Sequence, residues 1–199
     1  QVGLPATCRG NATWGDYDRD GDQDILLYGV QLDYLCRVQL YRNDGGLFTN
    51  VSLGDCQFCD SCWDNGAITW IDFDEDGDLD IIFGGTQSGV ITFYLLENQP
   101  GGFLQSSLPE IAPFLQPTVD FADRDYDGDL DLLITGINLA DIHQAPSTHI
   151  YNRTETGYSQ EIWGHDILGV AGGAGTFVDY DNSLSHELLL TGYQGGEFW

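Results

Sequence analysis

Three short segments of the sequence place an aspartate at every second position and a glycine at the sixth. They are residues 16–24, 72–80 and 123–131, and we call them acidic loops one, two and three. Closely spaced carboxylates suit hard divalent cations, because calcium takes about six to eight oxygen ligands in a flexible geometry. Glycine allows the sharp turn with positive φ that such a loop needs. The pattern therefore predicts about three Ca²⁺ sites.

The spacing also predicts which atoms would bind the ion. If the backbone curls, the side chains at loop positions 1, 3, 5 and 9 converge on one point and position 7 offers its carbonyl oxygen. The predicted ligands are Asp16, Asp18, Asp20, Asp22 and Asp24 in loop one, Asp72, Asp74, Asp76, Asp78 and Asp80 in loop two, and Asp123, Asp125, Asp127, Asp129 and Asp131 in loop three.

Two rival cation sites fit the sequence less well. An EF-hand needs glutamate at position 12 and flanking helices, but Leu27, Phe83 and Ile134 stand there within apolar, strand-like runs. Magnesium keeps several waters and seldom sits in a cage made wholly of protein carboxylates. Three copies in register also argue against a merely solvated acidic face. The sequence therefore favours calcium.

A fourth acidic segment, residues 179–187, departs from the pattern, and we call it acidic loop four. It keeps Asp179, Asp181, Ser183 and Glu187 but has Leu184 in place of the glycine. A leucine with positive φ is costly, and the ligand charge is lower. Loop four is therefore predicted to bind calcium weakly or not at all.

The acidic loops mark a repeat. Their first residues are Asp16, Asp72, Asp123 and Asp179, so the spacings are 56, 51 and 56 residues. Each loop follows a short β-prone stretch and precedes an apolar run that ends in glycine; in the first three units an alternating strand and a glycine turn come next. Repeats of this kind predict an all-β, β-propeller-like array of about four blades. We predict one repeat domain over residues 1–199, with units of approximately 1–49, 50–103, 104–158 and 159–199.

The last unit is predicted to be incomplete. After the apolar run 188–192 the sequence continues only through residues 193–199, without the alternating strand and the start of the next. An open sheet edge invites pairing with another strand. The N-terminal segment could supply that strand and close a ring, a second molecule could supply it and propagate a polymer, or the sequence could simply be cut short there.

Composition excludes several classes of partner. The chain of 199 residues has 6 basic and 32 acidic residues, for a formal net charge of −26, so it should repel nucleic acid and anionic membranes. No apolar run approaches the roughly 20 residues of a membrane helix, so no membrane insertion is expected. A hydrophobic content of 42% with 13% aromatic residues indicates a folded chain.

Cysteines and glycosylation sequons favour an extracellular location, either secreted or on the cell surface. The five cysteines are Cys8, Cys36, Cys56, Cys59 and Cys62. Disulfides are the better interpretation than a metal or iron–sulfur site, with Cys8–Cys36 and one pair within 56–62 preferred and one thiol left over. The sequons predict glycosylation at Asn11, Asn50 and Asn152. Residue 1 is Gln rather than Met, which is consistent with a processed N-terminus.

These motifs together resemble a known family. The Asp-x-Asp-x-Asp-Gly-Asp-x-Asp loop, preceded by Ala/Val-x-Trp/Phe and followed by an apolar run with glycine, resembles the FG-GAP/VCBS repeat of integrin α-subunit propellers and many secreted adhesion proteins. The resemblance covers nearly the whole chain as four units. It implies propeller-type blades with calcium held in a loop between the first two strands of each blade, and it carries the ligand assignment above to loops one to three. Seven blades are usual in that family.

Three functional hypotheses follow, and the first is preferred. It is a calcium-stabilised structural or adhesion module, with self-assembly into a filament or binding of another extracellular protein. The alternative is a lectin, with Trp63, Trp163 and Trp199 stacking on sugar rings, although packing in the core explains such residues more simply. An enzyme is not expected, because the carboxylates are committed to a cation. The four histidines show no metal spacing, and no Gly-x-Ser-x-Gly or phosphate-cradling motif occurs.

Overall fold

The computed structural model describes residues 3–32, 36–53, 66–87, 90–154, 157–162, 167–183, 186–194 and 197–198. Every helix or strand element in this part of the chain is a β-strand, so the predicted all-β fold is confirmed. These residues include no helix long and apolar enough to cross a membrane. The chain divides into two compact units, Gln1–Ser107 and Leu108–Trp199.

The first unit contains two four-stranded sheets. Sheet one comprises β1 (Cys8–Gly15), β2 (Asp24–Val30), β3 (Cys36–Asp44) and β4 (Leu47–Val51). Sheet two comprises β5 (Ile68–Ile71), β6 (Asp80–Gln87), β7 (Val90–Gln99) and β8 (Gly102–Leu108), the last of which ends at the unit boundary.

The second unit contains a four-stranded and a three-stranded sheet. Sheet three comprises β9 (Phe114–Ala122), β10 (Asp131–Asn138), β11 (Pro146–Thr154) and β12 (Gly157–Gln160). Sheet four comprises β13 (Ala171–Val178), β14 (Glu187–Gln194) and β15 (Glu197–Phe198).

Each sheet is a simple meander in which strands adjacent in sequence lie side by side. This is the arrangement predicted for the repeat, and the incomplete last sheet is confirmed. One detail of the prediction was wrong, because sheet four does have a third strand. That strand is only two residues long and pairs Tyr193 with Phe198 and Gln194 with Glu197. The unit boundaries given above for a single repeat domain stay a prediction.

The core of the first unit lies between its two sheets. Leu26 and Tyr28 project from sheet one, and Ile81 and Phe83 project from sheet two into the same cluster. These side chains are at most 1% exposed. Alternation along a strand sends every second residue to one face, so the apolar runs after the acidic loops supply both faces of their sheets. Burial of such side chains stabilises the unit by roughly 1.5–3 kcal/mol each.

In the second unit, Leu133 and Ile150 of sheet three pack against Phe177 and Leu188 of sheet four. The apolar run of β10 ends at Gly136, which has φ of 150° and sits where the β9–β10 register shifts. A Cβ atom there would lie 2.9 Å from the Leu115 carbonyl oxygen. The close approach of two strands at this irregularity therefore requires glycine.

Candidate metal centres

Each acidic loop connects the first two strands of its sheet. Loop one joins β1 to β2, loop two joins β5 to β6, loop three joins β9 to β10 and loop four joins β13 to β14. The strands at both ends are hydrogen-bonded to each other, with Gly15 opposite Asp24 at the base of loop one. Each loop is therefore a hairpin connection anchored on the sheet, which is the placement that the family resemblance implied.

Two positions in each of the first three loops have a left-handed backbone. The sixth-position glycines, Gly21, Gly77 and Gly128, have φ of 92°, 87° and 101°, as the sequence predicted. The fourth position is left-handed in all four loops, at Arg19, Glu75, Tyr126 and Asn182, with φ between 57° and 61°. Three of these four residues are neither glycine nor asparagine, so this second turn gives no sequence signal. A left-handed residue of this kind costs roughly 1–2 kcal/mol.

The curled loops bring three carboxylates together in every repeat. One oxygen from each member lies within 4.8 Å of the others. The groups are Asp16, Asp18 and Asp24 in loop one, Asp72, Asp74 and Asp80 in loop two, Asp123, Asp125 and Asp127 in loop three, and Asp179, Asp181 and Glu187 in loop four. Four groups, rather than about three, could therefore hold a metal ion, and loop four assembles its group despite the leucine in place of glycine.

The ninth-position aspartates are buried and fasten the loops to their sheets. Asp80 is 1% exposed. Its two carboxylate oxygens accept hydrogen bonds from the Phe73 amide at 2.8 Å and from the Asn98 amide in β7 at 2.7 Å. Asp24 likewise accepts from the Tyr17 and Asn43 amides at 3.0 and 2.8 Å. One side chain thus ties the start of the loop to the third strand.

The fifth- and seventh-position carboxylates make hydrogen bonds within their own repeats, and their role as ligands stays a prediction. In loops one and two the fifth-position carboxylates, Asp20 and Asp76, lie outside the three-residue groups. Each instead accepts a hydrogen bond from the amide two residues later, at 2.8 and 2.9 Å. At the seventh position the Asp22 carboxylate accepts from the Gly45 amide at 2.6 Å, so its side chain fixes the β3–β4 turn.

Several buried carboxylate oxygens have no hydrogen-bond donor. These are the Oδ1 atoms of Asp72, Asp78, Asp123 and Asp129, and the Oδ2 atom of Asp131. Leaving a buried acceptor unsatisfied costs roughly 1–3 kcal/mol, and more for a charged group. All five residues belong to loops two and three. Hard anionic oxygens held together in this way fit a hard divalent cation as the missing partner.

Burial also opposes ionisation in these loops. It is the largest cause that raises the pKa of Asp80 to about 6, against two backbone amides that lower it. Burial, followed by the neighbouring charges of Asp127 and Asp131, raises the pKa of Asp129 to about 6. The pKa values of Asp24 and Asp131 are raised by the same main cause. The folded loops therefore concentrate negative charge that a bound cation would neutralise.

Two arginines contact the acidic loops in different ways. Arg19 of loop one reaches loop two, where its Nη2 donates to the Asp76 carbonyl at 3.2 Å and lies 3.7 Å from Asp78 Oδ2. Arg124 of loop three is mostly buried, with Nη2 2.7 Å from Glu161 Oε2 and Nε 3.9 Å from Asp131 Oδ2. In loop three the group of three carboxylates does not include the ninth-position residue, Asp131, whereas the groups in the other loops do include their ninth-position residue. Asp131 is also the ninth-position residue that has this guanidinium group beside it.

Comparison with protein families agrees with this geometry. The model of the FG-GAP-like repeat matches residues 16–83 and again residues 72–134. Together the two matches span more than half of the chain, and each begins at the first aspartate of an acidic loop. The chain belongs to the FG-GAP-like repeat family. No curated protein matches the sequence. The FG-GAP match ends within β10, so the fourth loop is assigned to the repeat by its position in sheet four.

The predicted cysteine pairing was partly wrong. Cys8 carries a free, exposed thiol, whereas Cys36 is disulfide-bonded; the proposed Cys8–Cys36 bond is therefore excluded. Cys56, Cys59 and Cys62 lie outside the described residues, and so does the pair predicted within 56–62. The tryptophans suggested for sugar stacking, Trp63, Trp163 and Trp199, also lie outside the described part of the FG-GAP chain.

The three sequons differ in their surroundings. Asn11 on β1 and Asn50 on β4 are exposed. Asn152 on β11 is half-buried, and its Oδ1 accepts a hydrogen bond from Arg124 Nη2 at 3.2 Å. Glycosylation of these sites stays a prediction, and the geometry favours Asn11 and Asn50 as acceptors, because their side chains are exposed whereas Asn152 is half-buried.

Proposed function

We propose that this FG-GAP protein is a non-enzymatic, extracellular module whose acidic loops bind calcium and whose role is structural or adhesive. The observation that carries the proposal is the repetition of one carboxylate group at the same hairpin in every sheet. A catalytic site is usually built once, at one cleft, whereas a stabilising device can recur with the repeat. The carboxylates are moreover fixed by backbone amides, as in the Asp80 bridge to β7.

Calcium fits the donor set best among common divalent cations. The groups consist of carboxylates alone, without histidine or cysteine, and soft or borderline metals prefer nitrogen and sulfur ligands. Extracellular fluids supply calcium at concentrations that suit even weak sites of roughly 10⁻⁴–10⁻³ M. The exposed sequons and the disulfide at Cys36 support the same location.

We further propose that the module associates with copies of itself. The alternative partner is another extracellular protein. β14 is eight residues long, but it pairs with the third strand only at Tyr193 and Gln194. Among the described residues, the stretch 188–192 has no strand on that side. An edge of this kind can accept a strand from a second chain.

The proposal is tested by calcium titration combined with electron microscopy. Thermal unfolding is followed in a chelator and in millimolar calcium, and negative-stain images are taken under both conditions. We expect calcium to raise the unfolding midpoint and to favour oligomers or filaments over single particles. An unfolding midpoint that calcium leaves unchanged would refute the calcium-stabilised module, and single particles under every condition would refute self-association.

A lectin is the second candidate, supported by one feature of the first unit. An open cleft of about 440 Å³ lies beside loops one and two and is lined by polar groups such as Arg19, Asp76 and Asn98. Guanidinium, carboxylate and amide groups together suit sugar hydroxyls. The Tyr17 ring in this cleft already stacks on Trp70, so sugar binding would depend on polar contacts. A glycan array that gives no signal in calcium removes this candidate.

A further inference from the structure

A path of three hydrogen bonds joins acidic loops one and two, which both lie in the first unit. The Tyr17 main-chain amide donates to Asp24 Oδ2 at 3.0 Å, and the Tyr17 carbonyl oxygen accepts from Asn98 Nδ2 at 3.1 Å. The Asn98 main-chain amide in turn donates to Asp80 Oδ1 at 2.7 Å. Asp24 and Asp80 are the ninth-position members of the two carboxylate groups. The path therefore links a predicted ligand of one ion to a predicted ligand of the other.

The ring of Tyr17 adds a packing contact to the same connection. Tyr17 stands between Asp16 and Asp18, which both belong to the carboxylate group of loop one. Its ring stacks on Trp70 of β5, with 6.3 Å between ring centroids and 6° between ring planes, and lies 6.0 Å from the ring of Phe103 in β8. The backbone between two predicted ligands of loop one is thus held by the sheet that carries loop two.

The left-handed fourth position of loop one makes a further contact with loop two. Arg19 Nη2 donates to the Asp76 carbonyl oxygen at 3.2 Å and lies 3.7 Å from Asp78 Oδ2. The second unit has a similar contact, because Tyr126 at the fourth position of loop three stacks on His186 of loop four, with 5.5 Å between ring centroids. In each unit a fourth-position residue reaches the other loop, so the costly backbone there has a structural use.

We propose that loops one and two bind calcium cooperatively, with Asn98 as the residue that positions loop two in response to an ion in loop one. The inference rests on the calcium binding proposed above and adds how two of those sites depend on each other. Thermodynamic linkage makes the effect reciprocal. An ion in either loop should therefore raise the calcium affinity of the other loop by the same factor.

The physical reason is the order that each ion imposes on its loop. The carboxylates of an empty loop repel one another, and fixing the loop backbone costs conformational entropy. Fixing loop one also fixes the Tyr17 carbonyl that accepts from Asn98, and the Asn98 amide favours the observed position of Asp80. Loop two then needs less ordering when its own ion binds, and its affinity rises.

Charge acts in the opposite direction. An ion in loop one makes the surroundings of loop two less negative and weakens the attraction for a second cation. Salt reduces this effect, since the Debye length is about 8 Å at roughly 0.15 M ionic strength, whereas it leaves the hydrogen bond of the half-buried Asn98 side chain in place. The Arg19 side chain is 53% exposed, so we expect it to contribute less than Asn98 does.

Calcium titration of the full chain, followed by NMR at roughly 0.15 M salt, tests the proposal. The sixth-position glycine amides of Gly21, Gly77 and Gly128 report on loops one, two and three separately. Asp18→Ala removes one carboxylate of the loop-one group. We expect it to lower the calcium affinity measured at Gly77 by at least about fivefold and to leave the affinity at Gly128 unchanged. Asp74→Ala, at the same position of loop two, should lower the affinity measured at Gly21 by the same factor.

Asn98→Ala separates this coupling from the charge that Asp18→Ala also removes. Alanine keeps the main-chain amide that holds loop two and deletes only the side-chain donor to loop one. In the Asn98→Ala background, Asp18→Ala should change the affinity at Gly77 by less than about twofold. Asn43→Ala is the matched control, because the Asn43 amide also holds a ninth-position aspartate but its Nδ2 donates to the Gln23 carbonyl of its own repeat at 3.0 Å. The full effect should remain in that background.

The outcomes distinguish the coupling from calcium binding itself. If calcium shifts the Gly21 and Gly77 amides but Asp18→Ala leaves the affinity at Gly77 unchanged or raises it, the coupling is wrong. An effect that persists undiminished in Asn98→Ala would overturn the assigned path. If calcium shifts neither amide in wild type, the calcium binding on which the inference rests is refuted as well. Asp18→Asn, which keeps the shape of the side chain, repeats the measurement with less disturbance of the fold.

Discussion

Replacing Asp80 with asparagine should separate the two roles of the ninth-position carboxylate. In the folded chain this side chain accepts one hydrogen bond from the loop, through the Phe73 amide, and one from β7, through the Asn98 amide. It is also one of three carboxylates that would hold the ion in loop two. Asparagine has nearly the same shape but only one acceptor oxygen and no charge.

Without calcium, two effects of similar size oppose each other. Burial raises the pKa of Asp80 from 3.8 to about 6, which corresponds to roughly 3 kcal/mol against the ionised form at neutral pH. Asparagine removes that penalty, but its amide group faces a backbone donor, and losing the buried hydrogen bond costs roughly 1–3 kcal/mol. The unfolding free energy in a chelator should therefore change by no more than about 2 kcal/mol.

With calcium, the same substitution should be clearly destabilising. A ligand at about a hundred times its dissociation constant stabilises the folded state by ~2.7 kcal/mol, and Asp80→Asn should lose most of this gain at loop two. Chemical denaturation in a chelator and in saturating calcium measures both values for each variant. Glu97→Gln, a charge removal in β7 outside the loop, is the control. If Asp80→Asn gains as much from calcium as wild type does, the metal-ligand role of Asp80 is wrong.

Three further predictions concern the loops. Gly77→Ala should lower the unfolding free energy by roughly 1–2 kcal/mol. The reason is the backbone φ of 87° alone, because the nearest atom to the added Cβ would be Arg19 Nη2 at 3.6 Å. Gly101→Ala, at a glycine without positive φ, should leave the unfolding free energy unchanged, and equal effects of the two substitutions would contradict the prediction. Arg124→Gln should raise the calcium affinity of loop three severalfold in calorimetry, because it removes a cation 3.9 Å from Asp131, whereas Arg42→Gln, at an exposed pair, should change affinity less. In a chelator, the raised pKa of Asp80 means that the folded state binds protons more tightly than the unfolded chain. The unfolding free energy should therefore rise as pH falls from 7 toward 4, and this gain should be lost as pH rises through about 6. In calcium the unfolding midpoint should instead fall with acidification, since protons compete with the ion, and parallel pH profiles under the two conditions would refute the assignment.

Sequence spacing was sufficient to locate the repeat, because the fold and the loops depend on local rules. The apolar runs after each loop became β2, β6, β10 and β14, and the sixth-position glycines adopt the positive φ predicted for them. Alternation of side chains along a strand and the conformational freedom of glycine both act within a few residues. For the same reason the sequence could predict the all-β class and an incomplete last unit.

The spacing of the aspartates along the sequence could not predict which carboxylate has which structural role. All five aspartates of a loop have the same chemistry, and only their direction decides their roles. Asp22 turns to the β3–β4 hairpin, whereas Asp24 points inward to the Tyr17 and Asn43 amides. The donors from outside the loop are the Gly45 amide for Asp22 and the Asn43 amide for Asp24, 23 and 19 residues away along the chain, so the assignment depends on the assembled sheet.

The sequence by itself therefore determined that this chain repeats a carboxylate hairpin four times on an all-β scaffold. Only the tertiary structure decided which face of each sheet is covered. Leu26 and Leu189 occupy the same position in two repeats, yet one is 0% and the other 57% exposed. The reason is physical: burial is a property of the neighbouring sheet, and a residue's own sequence context does not say whether that neighbour is present.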